Sequence, residues 1–212
     1  MDVLKQVFLE VEKIFSDSPK SHDLDHTLRV YNLCIRIGEG EGADIFVLKL
    51  ASLLHDVARA REDKSRGEVC HALEGSFIAE KILKSLGLKD YLVSHVVDCI
   101  KTHRFRGGDV PVSLEAKVLF DADKLDSIGA VGVGRAFLFA GEINSKLHNK
   151  DVDLSLSKPY SSEDTAFREY LVKLRYVKDR MMTEKGRGFA LERHDFMKDF
   201  FTRLNKEVDG II

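Results

Sequence analysis

The sequence predicts an all-α protein. Three observations lead there: apolar residues recur in steps of three and four along most of the chain, strict strand-like alternation is nearly absent, and only 3 prolines interrupt 212 residues. Val3, Val7, Val11, Ile14 and Phe15 mark a first helix, which "SDSPKS" ends. Ser21 can cap a second, running to about Ile37, where "GEGEG" is expected to stop it. A third helix is expected over about Ala43 to Arg59; its charges are sparse until the end, so it reads as central and buried. A fourth covers about Cys70 to Leu86 and a fifth about Tyr91 to His103. Ser113 can cap a sixth that reaches about Leu125. "SIGAVGVGRAFLFAGE" reads as a kink and a further helix, with its glycines serving close packing, since no strand precedes them and the pattern is not GxGxxG. Residues 143–160 lack a period and read as a long loop; two last helices are expected over about 162–185 and 189–208, divided by "KGRG". The expected organisation is a single domain over 1–212, with a core at about 20–140 and the C-terminal helices packed on it.

Composition narrows the function. Lys and Arg number 33 against 35 Asp and Glu, a formal net charge of -2, so the basic excess that drives nucleic-acid binding is missing. No apolar run approaches the roughly 18 residues of a membrane helix. The first residues, "MDVLKQVFLEVEKIF", are amphipathic and acidic, unlike a secretory leader. The three cysteines, Cys34, Cys70 and Cys99, are widely spaced and form no CxxC, which fits a reducing cytoplasm. Nucleic-acid and membrane partners are not expected; homo-oligomerisation is left open.

The stretch "KLASLLHDVARA", residues 49–60, places a histidine and an aspartate at the end of an oily run. Burying an unpaired carboxylate there is costly. His55 and Asp56 can be explained blandly, by an Asp56–Arg59 ion pair and a carbonyl partner for His55. That explanation loses ground as other candidate ligands gather at helix ends: His22, His26, His71, His103 and the carboxylates of "DADKLD". Asp121 lies four residues after Lys117, where a surface ion pair accounts for it. Asp123 shares the side of Leu119 and Phe120, where a carboxylate needs a strong partner such as a divalent cation; Asp126 shares that face and can support it. His95 and His194 read as structural, and His148 lies in the long loop.

The ordered set His26, His55-Asp56 and Asp123 resembles the H…HD…D pattern of the HD-domain superfamily of metal-dependent phosphohydrolases. "SHDLDHTLRVYNLC", "LASLLHDVAR", "CHALEGSFIAEKIL", "IKTHR", "DADKLDSIGAVGVGRAF" and "ERHDFMKDFF" together resemble the small YedJ-like HD hydrolases over about residues 20–205. The resemblance implies an all-helical HD bundle in which those four residues hold a first metal. "CHALEGSFIAEKIL" resembles the HxxxGxxxA segment of HD-GYP phosphodiesterases, which implies that His71, with His103 of "THR", holds a second metal, Asp56 bridging the two. A polar helix start for His71 and a cation at a helix C-terminus for His103 are the competing explanations.

Nitrogen and oxygen ligands without thiolate suit Mn, Fe, Co, Ni or Zn. The implied activity is hydrolysis of a phosphoester in a nucleotide or another small phosphorylated metabolite, with Asp56 as ligand and orienter of the attacking water. Lys124 and Arg59 are candidate phosphate contacts, Arg104 and Arg106 weaker ones, and His22, four residues before His26, can reach the pocket mouth; for each of these a plain surface role is the alternative. One departure is notable. HD deoxynucleotide monophosphatases carry HDxxE and alarmone hydrolases HDxxED, whereas this chain has "HDVARA" with Arg59 and Ala60 at those places. HDIGK and GYP are absent too. Two other readings stay open: a di-iron oxygenase like myo-inositol oxygenase, which shares the ligand order, and a non-catalytic nucleotide sensor.

Overall fold

The computed structural model describes residues 2–16, 24–65, 68–104 and 109–212. Among them no strand occurs, as the periodicity predicts. Two compact units divide the chain at residues 123 and 124.

In the first unit, α1 (Val3–Phe15) starts at Asp2, whose carboxylate accepts the Leu4 N–H at 3.1 Å, and it buries Val7 and Val11. The second helix, α2 (Leu24–Glu41), buries Val30, Cys34 and Ile37 and carries His26 in its first turn. It runs through most of "GEGEG" instead of stopping there. Only Gly42 takes a left-handed φ, of 76°, so the helix ends one turn later than expected.

The helix α3 (Ile45–Leu54) is capped by Asp44, which accepts from Phe46 N and Val47 N. Val47, Leu48, Leu50, Leu53 and Leu54 are buried, each worth about 1.5–3 kcal/mol relative to exposure. The expected continuation to Arg59 does not occur. The chain turns at residues 55–58, and a separate short helix, α4 (Arg59–Lys64), follows. At this end the His55 ring sits on the Ser52 carbonyl at 2.8 Å, the acceptor that the amide of residue 56 would use in a longer helix. Three-residue turns, a long bond from Val57 N to Leu54 O at 3.4 Å and one from Arg59 N to Asp56 O at 2.9 Å, replace the helical ladder.

Next come α5 (His71–Ser85), α6 (Asp90–Thr102) and α7 (Leu114–Leu125), close to their predicted spans. Ser113 caps α7 as expected, its Oγ accepting from Ala116 N at 3.1 Å. Asp121 is fully buried, so the predicted surface pair with Lys117 is not its environment: its turn of α7 faces inward among Val118, Leu119 and Ala122. His95 pairs with Glu115 at 3.0 Å, a structural role as expected.

In the second unit, α8 (Gly129–Glu142) contains the glycine run as helix, and a Cβ on Gly132 would sit 2.3 Å from the Ser127 carbonyl oxygen. Close packing is therefore what that glycine serves. Asp126 is buried and bound to Arg135 at 2.6 Å. Residues 143–165 are irregular, with Arg168 pinning them through Ser157 and Asp164, and the His148 ring lies 4.9 Å from that of Phe167. The predicted helix over 162–185 is shorter and broken: α9 (Ala166–Val172) is followed by a 3-10 stretch, Leu174–Arg180. "KGRG" does not divide the last two helices. Thr183 accepts from Gly186 N at 3.0 Å and starts α10 (Glu184–Val208), so the run opens the helix. Phe201 stacks on Tyr170 at 4.7 Å in the core of this unit. Among the described residues no helix is long and apolar enough to cross a membrane.

Candidate metal centre

The first unit gathers one acid and four imidazoles at the ends of its helices. His26 comes from the start of α2, His55 and Asp56 from the turn after α3, His71 from the first position of α5, and His103 from the residue closing α6. All five are buried, none more than 7% exposed. Asp123 joins them from the last turns of α7 and keeps some exposure.

Asp56 lies at the centre and divides its two oxygens. Its Oδ2 faces His26 Nε2 at 3.6 Å and His55 Nε2 at 3.7 Å. Its Oδ1 faces His71 Nε2 at 3.3 Å and His103 Nε2 at 3.6 Å. The imidazoles thus form two pairs: His26 and His55 approach Nε2 to Nε2 at 3.3 Å, and His71 and His103 at 3.2 Å. Asp123 Oδ1 adds to the first pair, 3.4 Å from His26 Nε2.

These separations test whether cations fit. An ion with bonds of about 2.1 Å to nitrogen and oxygen holds neighbouring ligand atoms about 3.0–3.4 Å apart, in octahedral or tetrahedral arrangement; both imidazole pairs, Asp123–His26 and Asp56–His71 fall in that range, and the other Asp56 contacts lie just above it at 3.6–3.7 Å. The tautomers agree. His55 Nδ1 donates to Ser52 O at 2.8 Å, His103 Nδ1 donates to Ile100 O at 2.5 Å, and His71 Nδ1 donates to the Glu62 carboxylate. With Nδ1 so engaged, each ring turns its Nε2 inward, and in the His71–His103 pair two Nε2 lone pairs face each other. A positive charge between them removes that repulsion. The residues present fit divalent cations bound by nitrogen and oxygen.

The electrostatics keep the groups ready to bind. Burial pushes the His55 imidazole down to about 4, against the pull of Asp56, so it stays neutral. Burial also lowers His71, again with Asp56 opposing. For Asp56, burial works to raise the carboxyl, but the surrounding imidazoles outweigh it and hold the group well below the usual carboxylate range.

Six predicted ligands, His26, His55, Asp56, His71, His103 and Asp123, thus converge in one unit. Arg59 has acidic neighbours: its Nη1 is 3.4 Å from His71 Nδ1, on the ring edge turned away from Asp56, and its guanidinium reaches Glu62 and Asp63 instead of Asp56. Lys124 is half-buried and opens the second unit. His22 and Arg106 lie outside the described residues. The sequence reading missed Glu62, which accepts from His71 and, at 2.8 Å, from Arg104. Its signal was present as "RED", an acid six positions after Asp56 rather than three.

A family model described as the HD domain matches residues 23–128, which contain every residue of this centre. The chain belongs to the HD-domain family. The Bacillus subtilis protein YpgQ is 34% identical to this HD protein over 98% of the present chain and 94% of its own. The crystal structure of YpgQ in complex with ADP matches with a TM-score of 0.76 at 30% identity, covering 97% of this chain and 94% of that one. An HD-superfamily hydrolase from Bacillus thuringiensis matches at a TM-score of 0.77 and 27% identity, over 97% of this chain and 96% of its own. A predicted HD-superfamily hydrolase from an uncultured Thermotogales bacterium matches at 0.69 and 28%, over 96% and 92%.

Proposed function

We propose that this HD protein is a metal-dependent phosphohydrolase that cleaves a phosphoester of a nucleotide or another small phosphorylated metabolite. The observation that carries the reading is the division of Asp56 between two imidazole pairs. His26, His55, Asp56 and Asp123 would hold one divalent transition-metal ion, and His71, His103 and the other oxygen of Asp56 a second. Bound there, such ions acidify coordinated water and offset charge on phosphoryl oxygens, the two services phosphoester hydrolysis needs. The first pair has two carboxylates and the second only a share of Asp56, so the second position is the more open to substrate oxygens.

Asp56 stays ionised, which suits a ligand and an acceptor of a hydrogen bond from the attacking water, and not a proton donor. Glu62 does not replace the acid missing from HDxxE, because its oxygens are taken by His71 and Arg104. Lys124, Arg59 and His22 remain candidates for contact with the phosphoryl group. The ADP held by YpgQ supports a nucleotide as substrate, and the hydrolase relatives favour hydrolysis over the oxygen chemistry that shares this ligand order.

The test is to strip the protein with a chelator, restore Mn, Fe, Co, Ni, Zn or Mg one at a time, and follow phosphate release from nucleoside mono-, di- and triphosphates and sugar phosphates. Release that requires a transition metal and disappears in Asp56→Ala is expected. No release with any metal, or oxygen uptake with iron alone, would overturn the reading.

A further inference from the structure

We propose that Glu62 is the positioning residue of the second imidazole pair, fixing His71 so that its Nε2 faces Asp56; this rests on the two-ion reading above. The reason lies in where each histidine stands on its helix. His55 and His103 both close helices, and each turns Nδ1–H back to the carbonyl three residues earlier, Ser52 O and Ile100 O. A ring at a helix C-terminus always finds such carbonyls unfilled. His71 opens α5. A helix start offers N–H groups and no spare carbonyls, so its ring needs an acceptor from elsewhere.

Glu62 supplies that acceptor. The Oε2 atom takes both the ring Nδ1–H of His71 and, at 3.2 Å, its backbone N–H. No side chain of the capping residue, Cys70, fills that role. On the other oxygen, Arg104 Nη2 donates at 2.8 Å, and Arg59 Nη1 lies 3.9 Å from Oε2. Arg104 follows His103 directly, so the acid is clamped between the two elements that carry the second pair. Glu62 is 7% exposed, which holds it in one place. Its charge also strengthens the pair: a carboxylate behind His71 makes that imidazole a stronger donor to a cation.

Calorimetric titration of the chelator-stripped protein with Mn2+, checked by elemental analysis, decides this. The parent is expected to take up two ions in separable steps. Glu62→Gln keeps a carbonyl oxygen for His71 but loses the charge; it should leave the first step within about twofold and weaken the second about 10- to 100-fold. Glu62→Leu should bind one ion. A second step of parental strength in Glu62→Gln overturns the proposal, whether or not Glu62→Leu folds. A lower melting temperature of metal-free Glu62→Gln with both steps weakened equally would also overturn it, since that marks a purely structural cap. A parent that binds a single ion would sink the two-ion reading itself and this proposal with it.

Discussion

Asp56 and His71 meet at 3.3 Å, Oδ1 to Nε2, although one belongs to the turn after α3 and the other to the start of α5. The other carboxylate oxygen faces a different pair of rings, so this contact makes one acid serve two positions. The expectations below follow from that arrangement and from the packing around it.

Removing the shared acid should dismantle both positions. Asp56→Ala is expected to retain less than one ion per chain by elemental analysis. Its metal-dependent phosphate release should fall by more than the about 10- to 100-fold typical of losing a partner behind a ligand. Full metal content in the variant would contradict the assignment.

His71→Ala should act on one position only. Bound metal is expected to fall from two ions toward one, with the first-step affinity kept. The variant also leaves Glu62 without its ring donor in a buried place, at a cost of about 1–3 kcal/mol, read as a lower denaturation midpoint of the metal-free chain.

Gly132→Ala tests whether the glycine run is a packing device. The added methyl would meet the Ser127 carbonyl oxygen at 2.3 Å, and backbone cannot swing aside as a side chain can. A loss of about 1–3 kcal/mol in urea unfolding is expected, with metal uptake unchanged. A neutral result would reopen the question of what the glycine does.

Cys99 gives a pH expectation. Burial pushes its thiol up to about 12 from an ordinary 9.0. A raised folded value means the neutral form is favoured in the fold. The stabilisation is complete below the unfolded value and declines as pH rises from there through the folded one. At pH 10 the unfolded chain gains about 1.4 kcal/mol from ionising this group. Melting temperature should fall between pH 8.5 and 10, and Cys99→Ala should flatten that fall.

The helices and the cluster of imidazoles and carboxylates were legible because both leave marks in residue type. Three- and four-residue periodicity located α1, α5, α6 and α7 closely, and charged groups at helix ends within oily surroundings pointed to His55, Asp56 and Asp123. What the sequence concealed depends on backbone atoms and on exact helix ends. The break after Leu54 goes with an imidazole seated on a backbone carbonyl, an arrangement that no periodicity records. "KGRG" looked like a terminator, yet Thr183 makes it a beginning. Asp121 seemed to be on the surface by its spacing from Lys117, but one turn of α7 is buried on more sides than an amphipathic pattern allows. Glu62 stayed hidden because its partner is remote in the chain and its helix is only six residues long.

The candidate ligands of the first position are spread along the first unit, from residue 26 through residue 55 to residue 123. A cation held by them would favour the folded chain, because residues so far apart in sequence come together only there and the unfolded chain offers no assembled site. Withdrawing the ion should therefore lower the unfolding midpoint of the first unit as well as empty the centre, so a chelator should act on this protein as a mild denaturant does.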